Sequence, residues 1–131
     1  MNVHIVEAKE IASAQIAPEA QAKLDTGYRL VGVTALVADE QHIELLYHYD
    51  KANVMEHLRV KVQKDLPIPS ISGVYFCALL VENEIQDLYD VRFDGLALDY
   101  KRTMLLTEET KKVVNAPFFH IPAQKNKSER A

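Results

Sequence analysis

Glu82, Glu84 and Asp87 place three carboxylates within one short stretch of the chain. Glu84 and Asp87 are three positions apart, so in a helix they are surface neighbours, while Glu82 points elsewhere. Two carboxyl groups in unlike surroundings can act as an acid and a base, because environment drives their pKa values apart. With Cys77 as the origin of a helical wheel, Leu80, Val81 and Leu88 fall within about 60° of it and Glu84 lies near the centre of the same arc. Glu84 is therefore expected to be part-buried. An ionised carboxylate removed from water costs several kcal/mol unless a cation or several donors meet it. Arg92, Arg102 or Arg59 could supply the cation internally, or another protein could. No nucleophile, paired histidine or phosphate loop accompanies the carboxylates, so bracing or docking is favoured over catalysis.

The elements that must position this segment are legible upstream. Val3 to Val6 is a strand candidate, and Glu7 to Leu24 reads as helical, with Pro18 as a first-turn proline of its second half. Asp25-Thr26-Gly27 ends it. Tyr28 to Val37 and Ile43 to Tyr49 form an expected antiparallel meander. From Val54 to Gln63 the residues alternate, with Val54, Leu58, Val60 and Val62 facing a core and Met55, His57, Arg59, Lys61 and Gln63 facing water. Lys64 to Pro69 is a stiff extended connector, and Ser70 or Ser72 is placed to cap the acidic helix from near Ile71. The expected fold class is α+β in β-α-β-β-β-α order, an antiparallel sheet of about four strands with helices on one face. Residues 1–122 make one domain, and 123–131 a polar tail expected to be disordered.

The acidic segment and its turn resemble the signature of the thirty-kilodalton-type (C-type) subunit family of respiratory complex I and of its relatives in membrane-bound energy-converting nickel-iron hydrogenases. That family's helix reads E-x-E-x-x-D-hydrophobic-aromatic and runs into F-x-G and a basic residue. Here those positions are Glu82, Glu84, Asp87, Leu88, Tyr89, Phe93, Gly95 and Arg102. Tyr28-Arg29-Leu30-Val31, Leu45-Leu46-Tyr47-His48 and Pro67 to Ser72 follow the family's order and spacing, so the resemblance covers about residues 28 to 106. The departures matter too. Complex I members usually carry arginine where Asn83 stands, an aromatic at Gln86, glycine at Asp90 and histidine-proline at Leu96-Ala97. Those differences and the Asp99-Tyr100 pair look more like the small hydrophilic subunit of an energy-converting (Ech or carbon-monoxide-induced) hydrogenase.

The resemblance implies an accessory subunit with no cofactor of its own. The nickel-iron centre and iron–sulfur clusters are expected in partner subunits: the hydrogenase large subunit, or the 49 kDa-type subunit of complex I, and an iron–sulfur small subunit. It also implies a cytoplasmic position, peripheral to the inner membrane and joined to it only through partners. The expected interface or bracing residues are Glu82, Glu84, Asp87, Tyr89, Phe93, Asp99 and Arg102, joined by Phe118 and Phe119 of the apolar NAPFFHIP segment. A stand-alone small-molecule enzyme using Glu84 and Asp87 is the alternative of another class.

Composition narrows the field further. The chain has 131 residues, 48% hydrophobic and 26% charged, which suits one ordinary globular domain with a substantial core. Its net charge is −4; Lys125, Lys127 and Arg130 against Glu129 put +2 on the tail, leaving −6 elsewhere, unsuited to nucleic acid. The single cysteine, Cys77, can neither form an internal disulfide nor hold a cluster, and is expected in the core. His4, His42, His48, His57 and His120 are scattered. His48 and His57 are expected to share a sheet face, without a third ligand at metal-like spacing. No signal-peptide pattern is visible, and the longest apolar run, Val74 to Val81, is far short of the ~20 residues that cross a bilayer.

Overall fold

The computed structural model describes residues 7–106. The candidate strand at residues 3–6, Phe118 and Phe119, and the tail lie outside the described residues. In chain order the elements are β1 (Lys9–Glu10), a short 3₁₀ turn (Ser13–Gln15), α1 (Ile16–Asp25), β2 (Arg29–Val37), β3 (His42–Lys51), β4 (Val54–Gln63), β5 (Ile68–Pro69), α2 (Ala78–Tyr89) and β6 (Phe93–Asp94). The main sheet has the order β1-β4-β3-β2, with β2, β3 and β4 an antiparallel meander and β1 parallel to β4. The α+β class and the β-α-β-β-β-α order hold, with two short strands added, but the helix expected from Glu7 to Leu24 is corrected: β1 and the 3₁₀ turn occupy its first part and α1 spans Ile16–Asp25.

Local chemistry explains the element ends. Pro18 occupies the first turn of α1, where its missing N–H would lack a partner anyway. At the other end Gly27 takes a φ of +88°, and the amides of Gly27 and Tyr28 donate to the carbonyls of Leu24 and Lys23, a left-handed glycine stop. Between β3 and β4 only Ala52 and Asn53 intervene, both with positive φ, the geometry that matches the twist of a tight hairpin. The helix starting near Ile71 is corrected: turns occupy residues 72–74 and 76–77, and α2 begins at Ala78 with no side-chain cap. Ser70 and Ser72 bind each other instead.

The core lies between one sheet face and both helices. Ile43, Leu45, Tyr47 and Tyr49 of β3 and Leu58, Val60 and Val62 of β4 meet Ile16 and Ala20 of α1 and Ala78 and Ile85 of α2. Each large side chain buried here contributes about 1.5–3 kcal/mol. The connector expected to be extended pairs in parallel with β6, its alternate residues Ile68 and Ser70 donating to the carbonyls of Arg92 and Asp94. Pro67 and Pro69 thus fall where no donor is needed. This pairing sets the chain after α2 beside the chain before it.

Candidate functional site

Helix α2 buries Ala78, Leu79, Glu82, Asn83, Ile85, Gln86 and Asp87. At 100° per residue these span about 200°, wider than a single packing surface. Two surfaces cover the helix: Ala78 and Ile85 join the core cluster, while Asn83, Gln86 and Asp87 meet residues 93–106. The phase of the sequence wheel is therefore corrected. Glu84 is exposed, and so are Cys77 and Leu80, while Glu82 is fully buried. Cys77 precedes the helix, outside the core.

The buried polar side chains fasten the following turn. The Asn83 amide donates to the carbonyls of Leu79 and Leu98, each at 2.9 Å, and its oxygen accepts from the Tyr100 amide at 3.0 Å. Gln86 accepts from the Phe93 amide at 2.8 Å and donates to Asp99 at 3.0 Å. Asp87 accepts from the Leu105 amide at 2.5 Å, and Ser72 Oγ accepts from the Ala97 amide at 3.0 Å. Arg102 closes the end of α2: Nε and Nη2 donate to the carbonyls of Gln86 and Asp87, both at 3.1 Å, and Nη1 pairs with Asp90 at 3.0 Å. A cation at a helix C-terminus meets the negative end of the dipole as well as unpaired carbonyls. Asp90 takes the left-handed conformation just past the helix, φ 52° and ψ 44°.

Glu82 plays a different part. Its Oε1 accepts from the Ile71 amide at 2.9 Å, tying α2 to the Pro-rich connector, while Oε2 is buried without a hydrogen-bond partner. Burial raises its pKa to about 7, against the lowering effect of Ile71 and Ser70. Nearby, the Tyr47 hydroxyl is also buried without a partner; burial first and Glu82 second push its pKa up. Tyr89 reaches β2 and donates to the Ala35 carbonyl at 3.1 Å, and Phe93 is in the core.

Of the expected bracing residues, Asp87, Asp99 and Arg102 come together around the end of α2, Glu82 binds the connector, Tyr89 reaches β2, Phe93 lies in the core and Glu84 is exposed, while Phe118 and Phe119 lie outside the described residues. Of the arginine partners foreseen for Glu84, Arg102 serves the helix end, Arg59 faces Glu44 at 4.0 Å, and Arg92 is exposed. Glu84 and Asp87 do not converge as an acid–base pair, since one is exposed and the other fully buried. Neither lines the two larger clefts, of about 860 Å³ beside α1 and β4 and about 380 Å³ between Lys64–Pro67 and the end of α2. Among the described residues no group of three or more histidine, cysteine, aspartate or glutamate side chains could hold a metal ion, and no helix is long and apolar enough to cross a membrane.

Asn83, Gln86 and Ser72 were not singled out as functional by sequence reasoning. The signal was present in Ala78 and Ile85, seven apart; phasing the wheel on them places Glu82 and Gln86 on the same side. What remains uncovered is apolar. Phe76 is 75% exposed and Leu80 61%, and beside them the Asn83-bound loop presents Leu98 and Tyr100, both exposed, with Glu84 on the same open arc.

The comparisons with known proteins agree with this architecture. Residues 5–124 match the family described as respiratory-chain NADH dehydrogenase, 30 Kd subunit. The chain belongs to that family. Two curated relatives are the C-type subunits of NADH-quinone oxidoreductase from Phenylobacterium zucineum, 40% identical over 58 residues, and from Xanthobacter autotrophicus, 37% identical over 60. Those matches cover 43% and 44% of this chain but only 28% and 29% of the relatives' length. A solved structure of the membrane-bound sulfane sulfur reductase, an archaeal respiratory membrane complex, contains a chain with the same fold. Its TM-score is 0.67 at 19% identity, over 86% of this chain and 71% of that one. The 30 Kd subunit fold is thus present here in a 131-residue chain.

Proposed function

We propose that this chain is a cofactor-free accessory subunit in the hydrophilic arm of a membrane-bound energy-converting nickel-iron hydrogenase. It braces the catalytic large subunit and an adjoining iron–sulfur subunit, which hold the metal centres, and it stays on the cytoplasmic side, peripheral to the membrane through those partners. The observation that carries the reading is the open apolar arc of Phe76 and Leu80, flanked by Leu98 and Tyr100. A cluster of large exposed apolar residues on a small domain marks a contact surface. The hydrogen bonds of Asn83 and Gln86 hold that surface in one shape before a partner arrives, which lowers the ordering cost of association.

Asn83, Gln86 and the Asp99-Tyr100 pair support the hydrogenase branch, because the turn is fastened through these residues, at positions where complex I members usually differ. A second reading, the C-type subunit of an NADH-quinone oxidoreductase, is favoured by the two curated relatives. Tagged purification from gently solubilised native membranes, with mass spectrometry and metal analysis of the eluate, separates them. Nickel with a large subunit and membrane chains is the expected result. Iron and flavin without nickel would move the chain to the NADH-quinone complex, and a solitary metal-free chain would overturn both.

A further inference from the structure

On the sheet face away from the helices, His48 of β3 and His57 of β4 are directly opposed. Their rings meet edge to face with centroids 4.9 Å apart, and the two Nδ1 atoms lie 2.6 Å from each other. At that separation one proton lies between two nitrogen lone pairs, so the ring that accepts carries its hydrogen on Nε2. His48 Nε2 lies 2.8 Å from the Thr34 hydroxyl on β2, which can accept from an Nε2–H, the tautomer in which the Nδ1 lone pair faces His57. The neighbouring space is open: Gly32 is the strand partner of His48, and a Cβ added there would meet nothing within 4 Å.

We propose that His48 and His57 form a two-histidine site for a divalent transition-metal ion of the zinc class, unconnected with the α2 contact surface. Neutral imidazole is a good ligand for such ions. Bonds of about 2.0 Å to a tetrahedral zinc ion separate two ligand nitrogens by about 3.3 Å, so the rings part slightly to admit it. On binding, the proton between the rings moves to Nε2 of His57, and both Nδ1 lone pairs face the ion. No proton is released when both rings start neutral. Water fills the other positions from the open side at Gly32. Of the charged groups on this face, Asp50 pairs with Arg29 at 2.9 Å, Arg59 faces Glu44 at 4.0 Å, and Lys61 stands opposite Glu44.

Nitrogen-resolved NMR of the histidine rings during titration of the whole chain with zinc chloride at pH 7.5 tests the site. The ring signals of His48 and His57 are expected to shift together, with binding at one ion per chain. Thr34→Val should weaken binding about tenfold by removing the tautomer-fixing hydroxyl. Gly32→Val, whose Cβ would meet nothing within 4 Å, should crowd the open side while leaving the chain folded. Undiminished binding in His57→Asn, a shift of one ring alone, or no shift at excess zinc would each overturn the site and leave a hydrogen-bonded pair.

Discussion

Strand β4 and helix α2 solve opposite problems with the same kind of pattern. In β4 the alternation of Leu58, Val60 and Val62 with Arg59 and Lys61 states directly which side is buried, because one flat face meets the helices and the other does not. In α2 Glu82, Asn83, Gln86 and Asp87 are inside while Leu80 and Glu84 are outside. Asn83, Gln86 and Asp87 can be interior because a returning loop brings backbone groups to them, and Glu82 because the Ile71 amide meets it, although Glu82 Oε2 and Asp87 Oδ1 stay unpaired. The strand is held by area, whereas the helix is held by pairing. The two should fail differently.

The sharpest contrast is expected from Asn83→Ala. It leaves the Leu98 carbonyl and Tyr100 amide without their partner and should cost about 2–4 kcal/mol. Urea unfolding gives the loss, and hydrogen exchange should show the Tyr100 amide opening before the β3–β4 hairpin. If both open together, the pairing does not define a separate unit.

Glu82→Gln sharpens the comparison through pH. Glu82 holds its proton to about pH 7 when folded, while an unfolded glutamate ionises near 4.3, so the folded state binds the extra proton between these values. The sign follows: its favourable contribution is complete at low pH, falls as pH rises through that window, and is gone above 7, a swing of about 4 kcal/mol. Gln keeps an acceptor for the Ile71 amide and cannot ionise. The variant should therefore be more stable than the parent at pH 8 by up to that amount and similar at pH 4, as read by melting temperature across the range.

On the open arc the contrast lies between assembly and folding. Leu80→Glu and Glu84→Ala should each move isolated-chain stability by no more than about 0.5 kcal/mol, since both positions are exposed. Recovery of partner subunits in the tagged purification should fall. Equal loss of fold and assembly would remove the docking role. The smallest effect is expected at Asp90→Gly, where relief of the left-handed backbone, about 1 kcal/mol, offsets the lost pair with Arg102. Denaturant titration should place parent and variant close together.

The sheet was legible because its determinants are local: alternation in β4 from Leu58 onward, the Ala52-Asn53 turn, and the Gly27 stop each act within a few residues, whereas Val54, expected to face the core, is exposed next to the hairpin turn. Around α2 the sequence pointed to the right segment but not to its orientation. Asp87, Asp99 and Arg102 gather at the end of α2, while Glu82 meets the connector, Tyr89 reaches β2 and Phe93 lies in the core, and Glu84 and Cys77, expected to face inward, are exposed. Which way a helix turns depends on what covers it, and the cover of α2 includes the 93–106 segment, whose approach depends on pairing between β5 and β6. That information is spread over nearly forty residues. A wheel cannot contain it.

Pro67 and Pro69 carry a consequence for how this domain meets its surroundings. In an extended segment, successive residues direct their backbone groups to opposite edges; Ile68 and Ser70 serve β6, and the far edge receives the prolines. That edge has carbonyls but no hydrogens to donate, so a foreign strand laid against it could complete only half a ladder. The small sheet is closed to growth on this side. A neighbour there must be recognised by its side chains, and an unfolded chain passing by finds no template on which to aggregate.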